Sequence, residues 1–259
     1  LLRETQGLDI RLLDLPPVGG ATRNFLRLLD HVSANVAPGE WVAFCDQDDV
    51  WLPDKLARAV NLLRALNDDR PALCGSTTLI VDPDNRVIGT SPVFGRPPGF
   101  GNALVQCIAG GNTLVMNQAA LRLMADQGPP DVPSHDWWCY QLVTGSGGHF
   151  IYDERPGLRY RQHVGNLQGT NRGVKAVFSR MIGLFDGHFQ RWNRRNVAAL
   201  VLRRDALTAE HREQLDQYLL AGTARWPWER VAALRRSGVY RQSPMQTLAL
   251  YVACVAGKL

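Results

Sequence analysis

No Cys-x-x-Cys pair, no Gly-x-Ser-x-Gly turn and no apolar run longer than nine residues occurs in this chain of 259 residues. Each absence removes a class of protein. The five cysteines, Cys45, Cys74, Cys107, Cys139 and Cys254, are scattered and odd in number. They indicate neither a zinc site nor a disulfide framework, and they fit a reducing, cytosolic setting. Without a nucleophile elbow or a Cys/His pairing, no covalent enzyme nucleophile is evident. The longest apolar run, Leu248 to Ala256, falls far short of the ~20 residues of a spanning helix. No repeat and no low-complexity tract is present. What remains is ordinary globular composition, 45% apolar and 20% charged, sufficient for one large or two modest domains.

Charge divides the chain. Residues 1–171 hold 14 Lys/Arg against 18 Asp/Glu, whereas residues 172–259 hold 15 against 6. This break predicts two regions, 1–171 and 172–259, with different partners. Arg191, Arg194, Arg195, Arg203, Arg204, Arg235, Arg236 and Arg241 lie among helically spaced apolar residues. Such a surface suits an anionic partner, a membrane leaflet or nucleic acid, and equally a solvated helical face.

The richest segment is Trp41-Val-Ala-Phe-Cys-Asp-Gln-Asp-Asp-Val-Trp-Leu-Pro-Asp-Lys55. Trp41 to Cys45 reads as a short buried strand ending in Asp46, Asp48 and Asp49. A helix follows, with Leu56, Ala59, Val60, Leu63 and Leu66 at helical spacing. Acids at a strand's carboxyl end lie where α/β sheets bind ligands. Three carboxylates within four positions repel one another, and an all-oxygen set suits Mg²⁺ or Mn²⁺. Helix capping by Asp49 or Asp54 accounts for one or two of the acids but not for Asp46.

Two further groupings stand out. In Ser134-His-Asp-Trp-Trp138, Asp136 sits at a loop-to-helix junction. It reads either as a general base or as an N-cap of a helix that buries the indoles. In Arg159-Tyr-Arg-Gln-His163, strand periodicity puts Arg159, Arg161 and His163 on one face. That face is a diphosphate cradle or an edge strand with solvated arginines.

The coarse layout predicts strands at 10–15, 41–45, 73–81, 108–116, 150–152 and 158–163. Helices are predicted at 24–32, 54–66, 121–126 and 137–143, and helices dominate after residue 174. Strands alternating with helices argue for an α/β sheet.

Together these segments resemble the family 2 glycosyltransferases, inverting enzymes of the GT-A fold, and the rhamnosyltransferase-type members in particular. Phe44-Cys-Asp-Gln-Asp-Asp-Val-Trp-Leu-Pro-Asp-Lys-Leu56 is similar to the family's Asp-x-Asp segment. Gly110-Gly-Asn-Thr-Leu114 resembles its acceptor-side strand, and His135-Asp-Trp-Trp138 the segment that supplies the base. Tyr160-Arg-Gln-His-Val-Gly-Asn166 resembles the late motif that closes over the diphosphate, and Gly20-Ala-Thr-Arg-Asn24 the turn before the metal strand.

The resemblance implies a Rossmann-like sheet with helices on both faces, followed by a helical C-terminal region. It implies a cation on Asp46, Asp48 and His163, and donor diphosphate near Asp49, Arg159 and Arg161. An acceptor is expected at Gly110, Gly111, Asn112, Trp137 and Trp138, with Asp136 as base. The implied partners are a nucleotide-sugar donor, a saccharide or lipid-linked acceptor and an anionic membrane surface on the inner face of the cell membrane. Nucleic acid is not expected. The chain opens Leu1-Leu-Arg with no Met, so the family's first βαβ portion, which binds the nucleotide base, is expected to be missing. Two rival readings use the same features: a metal-dependent phosphohydrolase, and a non-catalytic basic surface binder.

Overall fold

The computed structural model describes residues 11–14, 16, 18–126, 128–162 and 187–259. Helix α1 (Ala21–Ser33) precedes strands β1 (Val42–Ala43) and β2 (Val50–Trp51) and helix α2 (Lys55–Arg64). Strands β3 (Ala72–Val81) and β4 (Val87–Thr90) are followed by the short helix α3 (Phe100–Ala103) and a 3-10 turn at Gly111–Thr113. Strand β5 (Val115–Met116), helices α4 (Gln118–Ala125) and α5 (His135–Gly145) and strand β6 (His149–Arg161) come next. Helices α6 (His188–Leu202), α7 (Ala209–Thr223), α8 (Pro227–Arg236) and α9 (Pro244–Val255) close the described chain.

The strands form one mixed sheet in the order β1-β5-β3-β6-β2, with β4 on β3. Among the described residues β3 and β6 run parallel and the other pairs are antiparallel. β3 is buried along most of its length because both its faces are covered, with apolar residues at its two ends and Gly75-Ser76-Thr77-Thr78 between them. Leu73 faces the main core, whereas Ala72 and Cys74 face a smaller cluster under α2 with Ala59, Leu63 and Val115. The main core gathers α1, α4 and α5 and continues through Leu200, Leu215, Leu234 and Leu250 of the C-terminal helices. The predicted division at residues 171 and 172 lies outside the described residues.

β1 and β2 follow each other in sequence yet end up on opposite edges of the sheet. Residues 44–49 must therefore run from one edge to the other. Four strand spacings amount to about 19 Å in a flat sheet, which six residues span only when almost fully extended. Because the link turns at Gln47-Asp48, the sheet has to curl to bring its edges together. The carboxylates of this link hang over the end of the sheet.

Several predicted elements change form. Arg11–Asp14 carries no regular structure, and Leu12 stands in solvent rather than in a strand; Ile10 and Leu15 lie outside the described residues. The 108–116 strand shrinks to β5, because Gly110-Gly111 turns the chain into a 3-10 segment. There Thr113 returns both its N–H and its hydroxyl to Gly110 O, at 2.9 and 2.7 Å. The two late strands are one, β6, with a shifted register opposite Ser76–Thr78. Backbone carbonyls at that irregularity are satisfied by side chains: Thr77 Oγ1 bonds Glu154 O at 2.7 Å, and Arg58 Nη2 bonds Arg155 O and Pro156 O at 2.9 Å.

Candidate active site

The acid link rests on an aromatic floor. Phe44 is buried and packs edge-on against Phe25 (ring centroids 5.3 Å apart) and against the His135 ring (4.7 Å). From this floor Asp46 to Asp49 turn outward, half-buried except for the exposed Gln47. Asp49 is not a helix cap: its carboxylate accepts from Asn112 Nδ2 and, at 3.3 Å, from the backbone N–H of Arg161. Asp54 occupies the N-cap position of α2 without a side-chain cap bond, and pairs instead with Arg58 one turn on.

The carboxylates crowd one another. The Asp46 carboxyl is pushed up to about 6, first by burial and then by Asp49, Asp48 and Asp136; Lys55 offsets only part of this. Burial also raises Asp49, against the hydrogen bonds from Asn112 and Arg161. Lys55 is the cation that the sequence pattern did not single out. It is only 3% exposed, sits over the Trp51 ring at 3.5 Å and donates to Asn112 O at 2.6 Å. Burial pulls its ammonium down to about 8, against the fields of Cys45, Asp49 and Asp46. One sequence signal could have found it: a Lys in a helix first turn, four residues after a Trp and close behind three acids.

Asp136 enters from α5. Ser134, not Asp136, caps that helix, accepting from Trp137 N–H at 3.5 Å. One Asp136 oxygen accepts from Gly111 N–H at 3.1 Å and the other from Trp137 N–H at 2.7 Å. Two backbone donors thus fix the carboxylate while leaving lone pairs for a further donor. Gly111 is required here, because a Cβ would come within 2.1 Å of His135 Nε2. That nitrogen is shielded from solvent with no hydrogen-bond partner among the described residues, and burial keeps the imidazole below its usual pKa.

The structure brings Asp46, Asp49, Asn112, Gly111, Asp136 and Arg161 together around the Gly110–Thr113 turn. Arg161 Nε donates to Asp48 O at 3.1 Å. Both arginines also reach the β3–β4 turn, Arg161 Nη1 donating to Pro83 O at 2.6 Å and Arg159 Nη1 to Asn85 O at 3.0 Å. Both indoles belong to the interior. Trp137 bonds Ala103 O at 2.7 Å, and Trp138 is wholly enclosed in the main core, which leaves it no surface for a ligand. His163 lies outside the described residues.

Among the described residues no three His, Cys, Asp or Glu side chains converge as a complete metal cage. The donor chemistry nevertheless suits a hard cation: crowded carboxylate oxygens, with the Asp46 carboxyl raised by burial and then by its acidic neighbours. An ion of the Mg²⁺ type takes one or two carboxylates and completes its shell with phosphate oxygens and water.

Residues of this chain are similar to a dTDP-rhamnosyl transferase, RfbG, of Shigella flexneri, at 27% identity over 189 residues. The match covers 70% of this chain and 61% of the relative's length. The chain thus spans about three fifths of the length of that relative. No family model and no solved structure matches the chain.

Proposed function

We propose that the chain belongs to an inverting glycosyltransferase of the GT-A type, which moves a sugar, rhamnose in the first place, from a nucleotide-diphosphate donor to a saccharide or lipid-linked acceptor in cell-surface polysaccharide synthesis. The observation that carries this reading is the meeting of Asp46 and Asp49, from the 44–49 link, with Asp136 of α5 around the Gly110–Thr113 turn. The likeness to a rhamnosyl transferase points the same way.

In this reading Asp136 is the general base. Its oxygens are already oriented by Gly111 and Trp137, so a sugar hydroxyl can give up its proton to a carboxylate fixed in place. Arg161 and Lys55 put positive charge on the side of the acid link, where a diphosphate leaving group gathers negative charge. Asp46 and Asp48, with His163, would hold a Mg²⁺ or Mn²⁺ ion, which when bound supplies neutralisation of the diphosphate. Asp49 then positions the turn through Asn112 rather than binding the ion. Displacement in one step leaves the anomeric centre inverted, and no enzyme nucleophile is required.

The test is an incubation with dTDP-rhamnose and other nucleotide-sugars, with and without Mn²⁺ and a saccharide acceptor. Acceptor-dependent product of inverted configuration is expected. Donor breakdown at the same rate without acceptor would favour the phosphohydrolase, and an absence of any turnover the non-catalytic binder.

A further inference from the structure

The C-terminal helices present an apolar surface that nothing in the proposed transfer reaction uses. On α9, Met245, Leu248, Val252 and Val255 are exposed, Leu248 by 65%, at i, i+3, i+7 and i+10 along one face. The opposite face, with Leu250, Ala253 and Cys254, packs on the core. The run that reads as nine continuous apolar residues is thus amphipathic by burial, half of it spent on folding and half left over.

The surplus face does not stop at α9. Val255 lines a shallow groove with Trp228, Val231 and Arg235 of α8. Arg230 ties the two helices, donating from Nη1 to Val255 O at 3.4 Å and from Nε to Ala224 O at 2.7 Å. Trp228 is 65% exposed and stacks flat on the exposed Trp226, with centroids 4.9 Å apart and planes within 10°. The Arg225 guanidinium lies over Trp226. Two exposed stacked indoles and four exposed aliphatic side chains far exceed the scattered apolar residues normal for a surface.

Charge identifies the occupant. Residues 224–259 carry six Lys/Arg and a single carboxylate, Glu229. Glu229 accepts from the backbone N–H of Trp226 at 3.3 Å, at the exposed start of α8. Arg225, Arg235 and Arg236 are exposed beside the indoles. Apolar side chains flanked by indoles and rimmed by arginines match the layering of a bilayer surface: acyl chains, then the interface that Trp favours, then anionic headgroups. From this match we infer that α8 and α9 form a membrane-docking face for anionic lipid, seating the protein flat on the bilayer through Trp226, Trp228, Leu248, Val252 and Val255.

The test is flotation of the full chain with vesicles of phosphatidylcholine alone or mixed with phosphatidylglycerol. No donor or acceptor is present, so failure here leaves the transferase reading standing. Binding is expected to the mixed vesicles only. It should fall steeply from about 0.1 M to about 1 M salt, as the Debye length shrinks from about 10 to about 3 Å. Leu248→Glu should reduce the bound fraction by about tenfold or more. Arg235→Gln with Arg236→Gln should reduce it about 25-fold. All of these side chains are exposed, and circular dichroism of each variant verifies folding. Equal binding to neutral vesicles, binding to neither, or variants that float like the parent overturn the inference. So does a dimer in sedimentation velocity that Leu248→Glu splits, because a second copy would then be the occupant.

Discussion

Asp46 and Asp68 are the same residue in two environments that shift it in opposite directions. Asp68 stands at the surface between Arg70 and His149, whose hydrogen bonds hold its carboxyl down at about 2. Asp46 lies in the link between the sheet edges, half-buried among Asp49, Asp48 and Asp136, and is pushed up to about 6. A third acid, Asp153, shows the buried structural case. It accepts from Arg58 Nε, the two side chains are each about 10% exposed, and Arg58 spends its remaining donors on Asp54 and on carbonyls of β6. Where carboxylates stabilise this fold, cations are built in to match them. Where they crowd, as at Asp46, burial and neighbouring acids outweigh the one nearby cation, Lys55, and the carboxyl is raised.

The contrast can be broken first at its structural end. Arg58→Met leaves Asp153 buried without its cation and should cost about 3 kcal/mol of stability in denaturant unfolding. Turnover per folded molecule should be unchanged, because Arg58 touches none of the site groups. Next, Gly111→Ala forces a Cβ into His135, which the Phe25 and Phe44 rings hold in place. About 2 kcal/mol should be lost, and turnover with it, because the N–H that orients Asp136 belongs to the displaced residue.

Asp46→Asn should act in the opposite sense on stability. Its folded pKa lies above the unfolded value of 3.8, so its contribution favours the fold at low pH and is lost as pH rises through about 6. At pH 7 in chelator the Asn variant should therefore be more stable, by about 1 kcal/mol once solvent screening is allowed for. The parent's decline between about pH 4 and 6 should flatten in the variant. Thermal melts across that range test this, and a variant less stable than the parent at pH 7 would remove the frustration argument. Asp68→Asn should have the smallest effect. Its lowered pKa supports the fold above 3.8 and is lost only as pH falls through about 2, so the melting temperature near neutrality should drop slightly and activity should hold.

How legible the site was depends on whether its chemistry sits in contiguous residues. β3 reads from its apolar ends, Ala72-Leu-Cys74 and Leu79-Ile-Val81, joined by β-favouring threonines, and the link 44–49 with its acids reads from charge density after a strand. Lys55 did not, because in sequence it is a helix-surface lysine and only the fold lays it over Trp51 beneath the Gly110–Thr113 turn. Asn112 reads as part of a strand until the Gly110-Gly111 pair converts it into a turn that reaches Asp49. β6 reads as two strands because Asp153-Glu154-Arg155-Pro156-Gly157 has the composition of a loop. It stays one strand because Arg58 and Thr77, distant in sequence, satisfy its irregular carbonyls. Trp138, named with Trp137 among the expected acceptor contacts, is wholly buried in the main core, which a sequence of adjacent aromatic residues at a helix start does not reveal.

The central claim, that Asp136 is a base presented to an acceptor beside a cation-seeking acid link, is tested most directly by Asp136→Asn in a transfer assay with donor binding measured in parallel. Turnover per folded molecule should fall by about 10²–10⁴-fold while donor affinity holds, with only a small drop in melting temperature, because the Asn oxygen still accepts from one of the two N–H groups that Asp136 binds. Full turnover in that variant, or a loss of turnover that merely follows a loss of folded protein, would contradict the account.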